Sequence, residues 1–202
     1  MIPHTQADLP PIDRDSGLLR QARQVPSPNC DDRPEAVVAD LIVVHGISLP
    51  PGEFGGPWID RLFLNTLPPQ QHPYFAAVAD RKVSSHLLIR RDGELVQYVP
   101  FHRRAWHAGV SSYGGREKCN DFSIGIELEG ADEQAYEPAQ YRALTTVILQ
   151  LCRAYPSLSA ERVAGHSDIA PGRKTDPGAA FDWPRLRAML AAGAQRSAAS
   201  NP

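Results

Sequence analysis

This chain of 202 residues is poor in cysteine, with only Cys30, Cys119 and Cys152 and no C-x-x-C spacing. Three is an odd number, which makes a poor disulfide framework and fits a reducing compartment. Excess charge is also missing. The formal net charge is -2, which removes any global electrostatic reason to expect nucleic acid or an anionic membrane as partner. No apolar run approaches the roughly 20 residues of a bilayer span; 41-LIVVH-45 is among the longest. The opening stretch 1-MIPHTQADLPPIDRDSG-17 has neither a basic nor an apolar region of the kind a secretory signal needs, so the expectation is a soluble cytoplasmic protein. Internal repeats, low-complexity tracts and linkers are absent too. A single domain over residues 17–193 is expected, between mobile arms at 1–16 and 194–202.

What is present reads as mixed strands and helices. Segment 17-GLLRQARQ-24 is a short helix candidate, stopped by 25-VPSPN-29. The run 40-DLIVVHGIS-48 has the length and β-branched content of a buried strand. A long connection follows, with a helical stretch around Pro57–Leu64. Segment 82-KVSSHLLIRRDGELVQYVP-100 reads as two strands about a turn at Asp92-Gly93. In 123-SIGIELEG-130, Ile124, Ile126 and Leu128 alternate with Gly125, Glu127 and Glu129, which predicts a strand with one polar face. Helical spacing of Tyr141, Leu144, Val147, Ile148 and Leu151 marks a helix over 138–156. A last helix is expected over 182–193, with Asp182 as N-cap and Gly193 at its end. The order lacks strict βαβ repetition. It predicts an α/β (mixed α+β) domain with a central mixed sheet flanked by helices.

The chain has seven histidines, and two of them sit where chemistry is possible. His45 ends an apolar strand, and His166 follows a glycine in the loop 163-VAGHSDIAPGRKTDPG-178. A histidine at the mouth of a buried strand is as a rule a hydrogen-bonded core residue. Asp176, at the far end of the same loop, would complete a His–His–Asp set, and a catalytic zinc needs about three protein ligands and one open position. Alone, Asp176 is equally a turn residue before Pro177. Glu127 is the better cleft carboxylate of its strand and, beside a metal site, would serve as general base. Lys174 would stabilise negative charge on a tetrahedral intermediate, or else be a solvated surface lysine. The Gly-rich, aromatic stretch 106-WHAGVSSYGGREKCNDFS-123 suits carbohydrate: Trp106 can stack on a sugar and Lys118 can pair with a carboxylate, unless this is an ordinary long loop. His107 is either a fourth imidazole near the metal or structural.

Four stretches taken together carry a resemblance: 43-VVHGISLPPGEFGG-56, 85-SHLLIRRDGELVQYVPFHRRAWHAGVSSYGGRE-117, 119-CNDFSIGIELEG-130 and 165-GHSDIAPGRKTDPG-178. They closely resemble the zinc amidases, the superfamily that includes phage T7 lysozyme and the peptidoglycan recognition proteins. Within it the match is to the cytoplasmic anhydromuramyl-L-alanine amidases of bacterial peptidoglycan recycling. The resemblance implies Zn2+ held by His45, His166 and Asp176, with Glu127 and Lys174 as the catalytic pair. It implies a muropeptide substrate cut between muramic acid and L-Ala, and Lys82, Trp106 and Lys118 as substrate-binding residues. A monomer is the default, since no long exposed apolar helix stands out. Two departures from the family pattern exist. Gly46 follows the first ligand where relatives often carry Asn, and Lys82 and Lys118 stand where some carry Arg, so the planar guanidinium fork is lost. Two rivals share the superfamily: an amidase on intact peptidoglycan, periplasmic or phage-type, and a non-catalytic recognition module. Recognition modules typically lose a zinc ligand, and this sequence keeps all three. A metal-free α/β domain would make the four stretches a coincidence.

Overall fold

The structure, a computed structural model, describes residues 12–199. Residues 1–11 and 200–202, and with them His4 and most of the expected N-terminal arm, lie outside the described residues. The chain builds one mixed six-stranded sheet. Its strands are β1 (Arg23–Gln24), β2 (Leu41–Ile47), β3 (Leu87–Ile89), β4 (Leu95–Gln97), β5 (Ser123–Glu129) and β6 (Val163–Gly165). The spatial order is β6-β2-β5-β3-β4-β1. The four strands β6, β2, β5 and β3 run parallel; β4 turns back antiparallel to β3, and β1 lies parallel to β4 at the edge.

The two central strands are covered on both faces, so both read as nearly unbroken burial. One face carries Ile42, Val44, Ile124, Ile126 and Leu128 into the main core. There they meet Tyr141, Leu144, Val147, Ile148 and Leu151 of helix α3 (Pro138–Ala154) and Leu186 and Leu190 of helix α5 (Trp183–Ala199). The other face is covered by loops around Ala108, Cys119 and Phe122. A third cluster packs Leu88 and Val96 against Ile59, Leu62 and Phe63 of helix α1 (Trp58–Phe63) and Phe75 and Val78 of helix α2 (Pro73–Val78). Among the described residues no helix is long and apolar enough to cross a membrane.

Local signals placed most elements. The turn between β3 and β4 closes at Gly93, whose N–H donates to Arg90 O at 2.9 Å while φ is +94°. Gln140 caps α3, its Oε1 accepting the Glu137 N–H at 2.9 Å and its Nε2 donating to Glu129 O at 3.0 Å, which ties the helix to the end of β5. Asp182 caps α5 by accepting the Arg185 N–H at 2.9 Å.

Four expectations need correction. Residues 17–24 are not helical. Leu18–Leu19 pairs with Ile12–Asp13, and Arg23–Gln24 is β1. The Gln97 side chain captures the backbone there, accepting from Leu19 N at 2.7 Å and donating to Gly17 O at 3.0 Å, so tertiary hydrogen bonds override a local helical pattern. The polar face of β5 that bears Gly125, Glu127 and Glu129 is buried along its whole length, Glu129 included, and not only at the cleft residue Glu127. Helix α2 was hidden in the long connection, although Pro73 at its first turn and the His72 cap are its signature. Finally, α5 continues past Gly193 to Ala199. A Cβ at Gly193 would come 2.3 Å from Leu149 Cδ1, so this glycine permits close helix packing and does not end the helix.

Candidate active site

Parallel register assembles the site at one end of the sheet. Glu127 of β5 lies directly opposite His45 of β2. Residues paired this way project from the same face. On the other side of β2, Gly165 of β6 pairs with Val44, so His166 leaves the sheet beside His45. His166 opens a single helical turn, α4 (His166–Ile169), where the sequence read only an irregular loop. The loop then returns: the Ser167 N–H donates to Asp176 O at 2.9 Å and brings Asp176 back to His166. Gly178 completes the return with φ +85°, and a Cβ there would sit 2.1 Å from Asp132 Cα, so only glycine fits.

Three donor atoms converge. His45 Nδ1 and His166 Nδ1 are 2.9 Å apart, and Asp176 Oδ2 lies 3.3 Å from the first and 3.0 Å from the second. Tetrahedral zinc with bonds of about 2.0–2.1 Å needs ligands roughly 3.3 Å from one another, so the triangle is the right size for that ion. The chemistry of the donors agrees. His166 Nε2 faces the Ala108 carbonyl at 3.1 Å, and a carbonyl can only accept, so in the neutral ring that nitrogen carries the proton and Nδ1 is the free lone pair. The guanidinium of Arg173 also approaches Nε2, at 3.4 Å, but its NH2 already donates to Ala108 O at 2.6 Å and Val110 O at 2.7 Å. Burial holds His45 neutral, with its pKa pushed down to about 4 against the pull of Asp176. Two imidazoles and a carboxylate are the ligand chemistry of zinc.

The ligands line a cavity of about 470 Å³ together with Glu127, Lys174, Trp106, Arg81 and Arg173. Glu127 is buried, and its Oε2 has no hydrogen-bond partner. Burial pushes its carboxyl well above the ordinary value, the Asp176 charge adds to this, and Lys174 offsets part of it. Glu129, two residues on, holds the scaffold instead. It accepts from Arg90 Nη1 at 3.0 Å and from the Gly55 N–H at 2.7 Å, pinning a loop beside the cavity.

Not every expected site residue reaches this cavity. His45, His166, Asp176, Glu127, Lys174 and Trp106 come together there. Trp106 is held in place by its indole N–H, which donates to Asp31 Oδ1 at 3.1 Å. Lys82 and Lys118 are exposed and are not among the residues that line the cavity. Besides Lys174, the basic side chains that do line it are Arg81 and Arg173, neighbours in sequence of Lys82 and Lys174. His107 is not a ligand: its Nδ1 points at His45 Nε2 from 2.9 Å, on the ring edge opposite the donor triangle. Tyr136 carried no signal in the sequence. Its hydroxyl donates to Pro177 O at 2.9 Å, behind Asp176, and a Cβ on Gly46 would come 2.3 Å from the Tyr136 hydroxyl oxygen. The missing side chain at position 46 makes room for it.

The sequence profile of the N-acetylmuramoyl-L-alanine amidases matches residues 34–179. The chain belongs to the N-acetylmuramoyl-L-alanine amidase family. This amidase is 63% identical over 177 residues to the 1,6-anhydro-N-acetylmuramyl-L-alanine amidase AmpD of Salmonella typhimurium (strain SL1344), covering 88% of this chain and 94% of the relative. It is 62% identical over 176 residues to AmpD of Escherichia coli (strain K12), covering 87% and 96%. Its fold matches the crystal structure of a Se-Met AmpD derivative with a TM-score of 0.85 at 62% identity, over 87% of this chain and 98% of that one. It also matches E. coli AmiD in complex with anhydro-N-acetylmuramic acid-L-Ala-D-gamma-Glu-L-Lys, with a TM-score of 0.56 at 29% identity, over 78% and 60% of the two chains.

Proposed function

We propose that this amidase hydrolyses the amide between 1,6-anhydro-N-acetylmuramic acid and L-Ala of muropeptides, with Zn2+ at His45, His166 and Asp176. One observation carries the mechanism: a zinc-sized triangle of donor atoms shares a cavity with a buried, unpartnered Glu127 and with Lys174. The substrate follows the names of the AmpD relatives and the ligand of the AmiD complex. Zinc bound there would supply a Lewis acid that acidifies water and polarises the scissile carbonyl.

The chain's own groups do the rest. Glu127, with a raised proton affinity, takes a proton from the attacking water. The water oxygen adds to the lactyl carbonyl carbon, and Lys174 offsets the charge that develops on the carbonyl oxygen. Glu127 returns the proton to the alanine nitrogen as the C–N bond breaks. The products are the sugar with a free lactyl carboxylate and a peptide with a free amine. We place this reaction in the cytoplasm, in peptidoglycan recycling, with a monomeric enzyme and no nucleic acid or membrane partner.

Incubating the purified protein with an anhydromuramyl tripeptide should release free tripeptide. A zinc chelator should stop the release and added zinc restore it, as read by mass spectrometry. No cleavage by folded, zinc-loaded protein would refute this function and favour intact peptidoglycan as substrate or a recognition role.

The binding residues separate by position. Trp106→Ala should raise KM by about tenfold with a smaller fall in kcat, since stacking contributes about 0.5–1.5 kcal/mol beyond buried area. Lys82 and Lys118 would meet only a part of the substrate that extends beyond the cavity wall. Lys118→Ala should therefore raise KM more than it lowers kcat; an unchanged KM removes Lys118 from the substrate site.

A further inference from the structure

We propose that the dipeptide His107–Ala108, pinned by Asn120, decides which nitrogen of each ligand histidine faces the metal. The inference rests on the zinc reading above and extends it to residues outside the donor triangle. One dipeptide reaches both imidazoles. The His107 side chain meets His45 Nε2 at 2.9 Å, and the Ala108 carbonyl meets His166 Nε2 at 3.1 Å. The carboxamide oxygen of Asn120 accepts both backbone N–H groups of the pair, from His107 at 3.0 Å and from Ala108 at 2.7 Å.

The His166 arm is direct, because a carbonyl accepts and leaves Nδ1 bare. The His45 arm is a relay. The Ser123 hydroxyl has one hydrogen, and it donates that hydrogen to Cys119 O at 2.5 Å. Ser123 Oγ can then only accept from His107 Nε2, 3.2 Å away, so the His107 proton sits on Nε2. His107 Nδ1 is therefore an acceptor, His45 donates to it through Nε2–H, and His45 Nδ1 faces His166 and Asp176 as a lone pair. The opposite tautomer would put a proton on His45 Nδ1, inside the donor triangle. Gly125 makes the relay possible: a Cβ there would lie 2.5 Å from His107 Cγ, so the ring is seated on the bare backbone of β5. Outer partners of this kind typically change metal affinity by 10–100-fold.

His107→Phe keeps a ring over Gly125 and removes the acceptor. His107→Asn keeps an acceptor oxygen near the position of Nδ1. Zinc affinity by chelator competition and the imidazole nitrogen NMR shifts of the metal-free proteins test the idea. We expect His107→Phe to bind zinc about 10–100-fold more weakly and His45 to lose its single tautomer, with His107→Asn retaining most of both. Should His107→Phe not fold, Ser123→Ala provides the same test, because it frees the His107 tautomer at small cost in volume. Wild-type affinity with an unchanged His45 tautomer in His107→Phe, or in Ser123→Ala, would overturn the proposal. So would equal losses in His107→Phe and His107→Asn, which would make His107 a packing residue. A wild-type protein that binds no zinc would refute the metal reading itself, and the relay with it.

Discussion

Glu127→Gln is expected to lower kcat by about a thousandfold, within the range that general acid–base groups supply, and at the same time to raise the melting temperature of the metal-free protein. Both effects have one cause. Glu127 is buried at the sheet end with an unpartnered Oε2, and burial first, then the Asp176 charge, raises its proton affinity. A carboxyl whose folded pKa is raised costs stability at pH values above its unfolded value of about 4.3; the cost shrinks as pH falls below the folded value and is gone once pH is below the unfolded one. Glutamine keeps the shape and removes the charge. Its amide is left short of partners, but a neutral group costs less to bury than an ion. The gain should be about 1–3 kcal/mol at neutral pH, or about 2–4 °C per kcal/mol for a chain of this size. It should shrink towards zero near pH 4. Melting curves of the two proteins at both pH values decide it. A Gln variant that is inactive yet no more stable at neutral pH would show that Glu127 is not carried as a buried charge.

His166→Ala should abolish both zinc retention and turnover while leaving the fold in place. It removes one corner of a triangle whose edges are 2.9, 3.0 and 3.3 Å, and the remaining His45 and Asp176 make only a two-point site. The fold survives because the group His166 leaves behind keeps a partner: Ala108 O still accepts from Arg173 at 2.6 Å. Two-ligand sites fall short of the three protein ligands that hold catalytic zinc, so the expected loss in activity is at least about a thousandfold. Metal content after dialysis, read beside the circular dichroism spectrum, separates a lost ligand from a lost fold. A variant that keeps a full equivalent of zinc would remove His166 from the ligand set.

Gly178 and Tyr136 show how an active-site loop is held by groups that do no chemistry. Gly178 lets the chain turn against Asp132, and the Tyr136 hydroxyl holds Pro177 O from the other side. Asp176 lies just before both contacts. The ligand with the least regular backbone around it is thus the one with the most supports.

Much of this molecule follows from the sequence because its causes are local. The apolar run of β2, the capped and periodic α3 and the Asp92-Gly93 turn each depend on neighbours a few residues away, and all three form where expected. The motif stretches name His45, Glu127, His166, Lys174 and Asp176 as candidates through their resemblance to one family. Tertiary structure decided the remainder. Residues 17–24 became strands because Gln97, far along the chain, bonds their backbone. The polar face of β5 became a buried one because distant loops cover it. Register between parallel strands, which no local pattern encodes, placed Glu127 opposite His45. Arg81 and Arg173 entered the cavity wall while Lys82 and Lys118 stayed outside it. The role of His107 depended on partners in two separate strands: His45 of β2, and Ser123 and the backbone at Gly125 of β5. A side chain's chemical type is written in the sequence, but its proton, its charge and its orientation are set by the groups that packing brings against it.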